Sequence, residues 1–181
     1  MVSPHIPVLL ITGPVGAGKT AVATEVSALL SAEHCPHALV DLAVIGRCWP
    51  APIDDAWHEI LIHRNLACMW DNFVAAGAQR LILCRVLQAR SLLQRVEDAI
   101  RGADITVVRL RTPLDLVRAR LRDREAGDPS WFLDAATALH PAMELPGLAD
   151  HGVDNTARPV REVAQEVLRV AGWHPPPSEG W

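Results

Sequence analysis

The sequence predicts an α/β protein, a parallel sheet with helices on both faces. Short apolar runs alternate with longer amphipathic stretches along the chain. That is the pattern of strands buried on both sides and joined by helical crossovers. The glycine-rich stretch GPVGAGKT, Gly13 to Thr20, closes the first apolar run and opens the first amphipathic stretch. The 181 residues suffice for one domain with a substantial core.

The elements follow in order. Pro7 to Thr12 is a short apolar run ending in glycine and reads as a buried strand. Lys19 to Leu30 places Val22, Val26, Leu29 and Leu30 on one helical face. HALVD, His37 to Asp41, is the second strand, and the proline-broken GRCWPAP after it is a loop. A long helix is expected from Asp54 to Ala76, its first acids complementing the helix dipole. RLILCRV, Arg80 to Val86, is the third strand. Ser91 to Arg101 reads as a helix with Ser91 as N-cap and Gly102 as its stop. Asp104 to Leu110 is the fourth strand. Thr112 is the expected cap of a helix with Pro113 in its first turn, running to Ala126. A further helical stretch is expected over Pro129 to Leu139. His151 to Asn155 is the fifth strand, and Val160 to Ala171 carries a strongly periodic apolar stripe. Residues 1–174 form one domain in this reading, with a lid around 118–140, and 175–181 form a flexible tail.

In open α/β sheets ligands bind beyond the carboxyl ends of the strands. GPVGAGKT lies on that edge and fits G-x-x-x-x-G-K-[ST] without a mismatch, in the strand-to-helix setting the motif requires. Gly13, Gly16, Ala17 and Gly18 turn backbone N–H groups inward around phosphate oxygens, and Ala21 follows in the first helical turn. Lys19 is expected to reach the β- and γ-phosphates, and the Thr20 hydroxyl to sit on Mg²⁺. Lys19 is also the single lysine among seventeen Lys and Arg residues. A nest of backbone amides admits a compact ammonium on a thin stem, and the planar fork of arginine does not fit there.

Asp41, at the end of the second strand, is the candidate carboxylate for the acceptor hydroxyl or for Mg²⁺. Trp49, Trp57, Arg64 and Arg85 are candidates for an acceptor pocket, with Arg85 either binding substrate or ion-paired. His58, Asn65 and Asn72 share one helical face by their seven-residue spacing. HEILIH departs from the HExxH zinc motif by one residue, so its histidines point about 140° apart and cannot share a metal. LILCRV has no acid where many nucleotide hydrolases place a second metal-binding aspartate. In RLRTPLDLVRARLRDREAG, Arg118 and Arg122 flank the apolar stripe on one side, and Arg120 and Arg124 on the other. One pair can swing over a nucleotide to stabilise transition-state charge, leaving the other solvated or paired with neighbouring acids. Thr156, Arg158 and Pro159 border the place where a base would project.

Taken together, GPVGAGKT, Asp41, the R-L-x-x-R of Arg120, Leu121 and Arg124, and VDNTARPVREVAQEVL resemble the small P-loop kinases. The types are shikimate kinase, gluconate kinase, adenylylsulfate kinase and chloramphenicol phosphotransferase. The resemblance implies the three-layer P-loop NTPase sandwich with strand order 2-3-1-4-5. It implies an arginine helix leading into the lid, and Asp41 as the acceptor-activating carboxylate. Members often carry D-x-D at this place, whereas here Ala43 follows Leu42. The glycine-rich acceptor loop of shikimate kinase is absent after the third strand, which argues against shikimate.

The expected activity is ATP- and Mg²⁺-dependent transfer to a hydroxyl of a small polar molecule, such as a sugar, a nucleoside or an antibiotic. The alternative is a nucleotide-binding switch or ATPase controlling a protein partner. A net charge of −4 argues against a nucleic-acid partner, and no apolar run is long enough to span a bilayer. The four cysteines form no CxxC pair, which suits reduced thiols in the cytoplasm. A monomer or a homodimer is expected.

Overall fold

The structure is a computed structural model. It describes residues 5–50, 52–55, 58–124, 134, 137–138 and 147–173, with the side chains of Asp123 and Arg124 excepted. Trp57, most of the expected lid and the tail beyond Trp173 lie outside the described residues.

Five strands form one parallel sheet in the order β2-β3-β1-β4-β5. They are β1 (Ile6–Thr12), β2 (Ala38–Asp41), β3 (Leu81–Cys84), β4 (Ala103–Arg111) and β5 (His151–Asp154). This is the fold class and strand order expected. The helices are α1 (Lys19–Ala32), the short α2 (Leu42–Ile45), α3 (Glu59–Ala75), α4 (Leu93–Ala99), α5 (Leu114–Arg124) and α6 (Val160–Val170). Side-chain alternation along the strands builds two cores. Val8, Leu10, Val40, Leu81, Leu83 and Val107 face Leu66 and Trp70 of α3 and Val96 of α4. Leu9, Ile11, Ile82, Val108, Leu110 and Val153 face Val22 and Val26 of α1 and Val163 and Val167 of α6. The guanidinium of Arg80 stacks over Trp173 at 5.4 Å and ties down the end of α6.

Several local expectations are corrected. The long helix begins at Glu59 and not at Asp54, because His58 takes a left-handed φ of 55°. Asp55 caps the helix from outside, accepting from the N–H groups of Ile60 and Leu61 at 2.9 and 3.1 Å. Burial works to raise the pKa of this carboxyl, but bonds from the Leu61, Glu59 and Ile60 backbone outweigh it, so the shift is downward. Ser91 caps nothing. A turn of 3₁₀ helix, Arg90–Leu92, leads into α4 instead, and Leu92 holds the cap position without a side-chain bond. Thr112 is buried with its hydroxyl unpaired, and α5 starts from the carbonyl of Pro113, which Val117 reaches at 3.0 Å. The short α2 was not anticipated. Asp41 caps it by accepting from the Ala43 N–H at 3.0 Å.

Candidate functional site

β1 delivers the chain into the Gly13–Thr20 turn at the carboxyl edge of the sheet. Thr12 is fully buried, and its hydroxyl accepts from the Leu87 N–H at 2.9 Å, which joins the end of β1 to the loop after β3. Gly16 and Gly18 adopt left-handed φ values of 84° and 86°, which residues with a β-carbon take only under strain. Space is tight there as well. A β-carbon on Gly16 would come within 3.0 Å of Leu121, and one on Gly18 within 3.1 Å of the Asn155 amide nitrogen. Gly18 is the N-cap of α1, so the loop's N–H groups and the helix dipole point into the same concavity.

Asn155, expected from the sequence only as the end of the fifth strand, belongs to the site. It stands one residue past β5, is 4 % exposed, and donates from Nδ2 to the Ala17 carbonyl at 2.6 Å across 138 positions of chain. Its own carbonyl accepts from Arg120 Nη2 at 3.2 Å. One residue thus locks the phosphate loop and anchors an arginine of α5. The signal in the sequence is an asparagine at the ligand edge, directly after the fifth strand and its one large apolar residue, Val153.

α5 lies against the loop through Val117 and Leu121, with Val15 packed beside them. Arg120 therefore points toward the loop, whereas Arg118 reaches the Thr137 hydroxyl at 3.1 Å. The two diverge, as their helical spacing requires. Of Arg124 only the backbone, as the last residue of α5, is described.

Lys19 donates to the Pro14 carbonyl at 2.9 Å. Thr20 Oγ1 donates to Asp41 Oδ2 at 2.8 Å, so the expected metal-side hydroxyl and the carboxylate ending β2 are in contact. Cys84 pairs with Asp41 in the β2–β3 register and occupies the place of the absent acid. Burial pushes its thiol up to about 12, and the charge and hydrogen bond of Asp41 add to that, against Lys19 and Thr20. Cys84 is therefore held as a neutral thiol beside the Asp41 carboxylate. Thr20 and Asp41 offer hard oxygen ligands suited to Mg²⁺, which keeps much of its water and leans on substrate phosphates. Among the described residues no cluster of three or more His, Cys, Asp or Glu side chains could hold a metal.

The acceptor candidates are less concentrated. Trp49 is 92 % exposed, and Arg64 is exposed on α3. Arg85 is largely buried and forms a bidentate ion pair with Glu59, donating Nη1 to Oε2 at 3.0 Å and Nη2 to Oε1. His58 and Asn65 serve the frame. His58 Nδ1 donates to the Gly46 carbonyl at 2.6 Å and Asn65 Nδ2 to the Ile45 carbonyl at 2.7 Å. A β-carbon on Gly46 would overlap Ile62, so the loop lies tight on α3. On the far side, Arg158 donates to the Asp154 carbonyl at 3.0 Å and to Glu166 at 2.6 Å. The Glu166 bond is the main cause that raises its pKa. Pro159 caps α6, Ala17 is buried in the loop, and Ala21 is exposed in the first turn of α1.

No protein-family model and no curated protein sequence matches the chain. Solved structures do match its fold. A Deinococcus radiodurans tunicamycin resistance protein superposes with a TM-score of 0.65 at 20 % identity, covering 94 % of this chain and 99 % of its own. An APS kinase from Mycobacterium tuberculosis, solved with AMPPNP and APS, gives 0.63 at 21 %, covering 93 % and 99 %. A gluconokinase from Sinorhizobium meliloti 1021 gives 0.60 at 19 %, covering 93 % of each chain. The fold of this protein is that of the small P-loop kinases.

Proposed function

We propose that this protein is an ATP- and Mg²⁺-dependent phosphotransferase acting on a hydroxyl of a small polar molecule. The observation that carries the reading is the 2.8 Å hydrogen bond from Thr20 to Asp41. It brings a carboxylate from a different strand against the hydroxyl that a P-loop directs at Mg²⁺. When bound, Mg²⁺ would neutralise charge on the transferring phosphoryl group, with Thr20 and Asp41 holding it. The loop N–H groups and Lys19 bind and orient the phosphates. Lys19 exchanges the Pro14 carbonyl for phosphate oxygen as it does so. Asp41 orients the acceptor hydroxyl and takes its proton. Arg120 and Arg124 stabilise charge on the transferring group, Arg118 lines the nucleotide, and Arg158 with Pro159 borders the base. Residues around 118–140 close over the site and exclude water, since transfer to an alcohol competes with hydrolysis. Trp49, Trp57, Arg64 and Arg85 surround the acceptor. The partner is that small molecule, with no nucleic acid or membrane; the setting is cytoplasmic and the protein a monomer or homodimer.

Cys84 favours this reading over an ATPase switch. A buried, protonated thiol is a poor substitute for the carboxylate that helps position metal and water in P-loop hydrolases. The test is incubation of the purified protein with ATP, Mg²⁺ and a panel of alcohols, with products followed by ³¹P NMR. Phosphorylated alcohol supports the proposal. Steady acceptor-free ATP hydrolysis, stimulated by a protein partner and without any phosphorylated alcohol, would overturn it.

A further inference from the structure

β4 is longer than its outer neighbour, and its first half has no strand on that side. β5 enters the ladder only at His151, opposite Val108. Successive residues of a strand address their N–H and carbonyl groups to opposite neighbours. The Gly102 carbonyl accepts from the Ile6 N–H at 2.9 Å, so even-numbered residues here face β1. Val107 faces outward. Its carbonyl accepts from the Asp150 N–H at 3.0 Å, and its N–H donates to Asp150 Oδ2 at 2.8 Å. Ile105, two residues earlier, points the same way, and among the described residues nothing meets its N–H or its carbonyl. The Ala103 carbonyl faces outward as well, while its N–H donates to the Ile100 carbonyl at 3.1 Å. Two carbonyls and one N–H of the main chain thus stand open along this edge, the kind of template another strand can pair with.

Beside the open edge runs a groove of about 340 Å³ between β4 and α4. Leu93, Ala103 and Ile105 supply its apolar lining. Ala103 and Ile105 pack with Val107 and Leu93 in one core, so these odd-numbered side chains turn toward α4. The charged residues of the groove are Arg90, Glu97 and Asp104. Arg90 is committed to Asp150 Oδ1 at 2.8 Å, the same carboxylate that closes the ladder at Val107. Glu97 and Asp104 are exposed, Glu97 on α4 and Asp104 turned to the opposite face of β4 by strand alternation. His5 lies 3.6 Å from Asp104 and carries charge only when protonated. The groove is therefore acidic. It opens at the amino end of the sheet, where Ala103 pairs with Ile6, apart from the edge that holds Gly13 to Thr20.

We propose that this edge docks an extended, basic segment of a partner protein, which adds to β4 as a short strand. Main-chain bonds to the Ala103 carbonyl and to both groups of Ile105 hold the segment. A lysine or arginine on its α4 side lays its aliphatic stem over Leu93 and Ile105 and brings its charge to Glu97. A basic residue on the opposite side meets Asp104. Charge complementarity selects this occupant. A second copy of this chain does not suit the site, because pairing two β4 edges would set Glu97 and Asp104 against their own copies. The proposal stands apart from the kinase reading, since the docked segment leaves the phosphate loop uncovered.

The test titrates the ¹⁵N-labelled full chain with two end-blocked peptides, acetyl-VKKVV-amide and acetyl-VEEVV-amide. At millimolar concentration the lysine peptide should move the Ile105 amide resonance to saturation and slow its hydrogen exchange, because that N–H gains an acceptor. The glutamate peptide should bind more weakly by about tenfold or more. A lysine peptide N-methylated at every residue keeps its charge and loses its donors, and should leave Ile105 unmoved. Glu97→Lys changes an exposed position of α4 and should erase most of the preference between the two peptides. No saturating shift at Ile105, equal affinity for the two peptides, or binding of the methylated peptide would each overturn the proposal on native protein alone. The full native preference retained in Glu97→Lys would overturn it as well.

Discussion

Replacing Asn155 by alanine tests the lock on the phosphate loop. The side chain is 4 % exposed and its amide reaches the Ala17 carbonyl at 2.6 Å. Truncation removes that hydrogen bond and strands a carbonyl of the loop, at about 1–3 kcal/mol. The space left by the carboxamide adds about 1 kcal/mol. The sum is about 2–4 kcal/mol. With a urea slope of about 2 kcal/mol per molar, the unfolding midpoint should fall by about 1–2 M. ATP affinity, measured by calorimetry, should weaken by about tenfold, because binding must then order a loop that Asn155 holds in advance. The main-chain bond from Arg120 survives the substitution, so the effect isolates the amide. Asn155→Asp should be worse than alanine, since it sets a carboxylate oxygen against the Ala17 carbonyl. A stability within about 0.5 kcal/mol of the parent, together with unchanged ATP affinity, would refute the lock.

Asp41→Asn keeps an oxygen to accept from Thr20 or Ala43 and loses the charge. Stability should change by less than about 1 kcal/mol, while transfer falls about 10²–10⁴-fold and nucleotide affinity barely moves; transfer at the parent rate would remove Asp41 from the chemistry. Lys19→Ala should abolish transfer and weaken triphosphate binding, and a calorimetric ATP affinity equal to the parent's would contradict the phosphate assignment. The Cys84 thiol sits at about 12 in the folded chain against an ordinary 9.0. Its contribution to stability is therefore whole below pH 9 and declines as pH rises from 9 toward 12, with a slope of at most about 1.4 kcal/mol per pH unit. Urea midpoints across that alkaline window should fall more steeply for the parent than for Cys84→Ala, and parallel profiles would show that the thiol is not held protonated by the fold.

The phosphate loop, the alternating strands and the parallel class were legible in the sequence because each is written in residues close together. Glycine at 13, 16 and 18 permits backbone angles that few other residues take. The Leu9–Leu10–Ile11 run marks a strand buried on both faces, and the apolar stripe of α6 repeats at the helical period. Strand order came from resemblance, since nothing local states which strand lies beside which. Asp41 was placed correctly at the end of β2, but its contact with Thr20 depends on how α1 returns across the sheet.

Tertiary structure alone decided the remainder. Asp55 lies outside α3 because its carboxylate reaches N–H groups five and six residues on, a geometry that helical periodicity does not register. Arg85 was an equal choice between ligand and ion pair until α3 brought Glu59 to it. Asn155 meets Ala17 across 138 positions of chain. Backbone preference is set by each residue and its nearest neighbours. Side-chain partners at the carboxyl edge are set by register and crossover, and those exist only once the sheet has assembled.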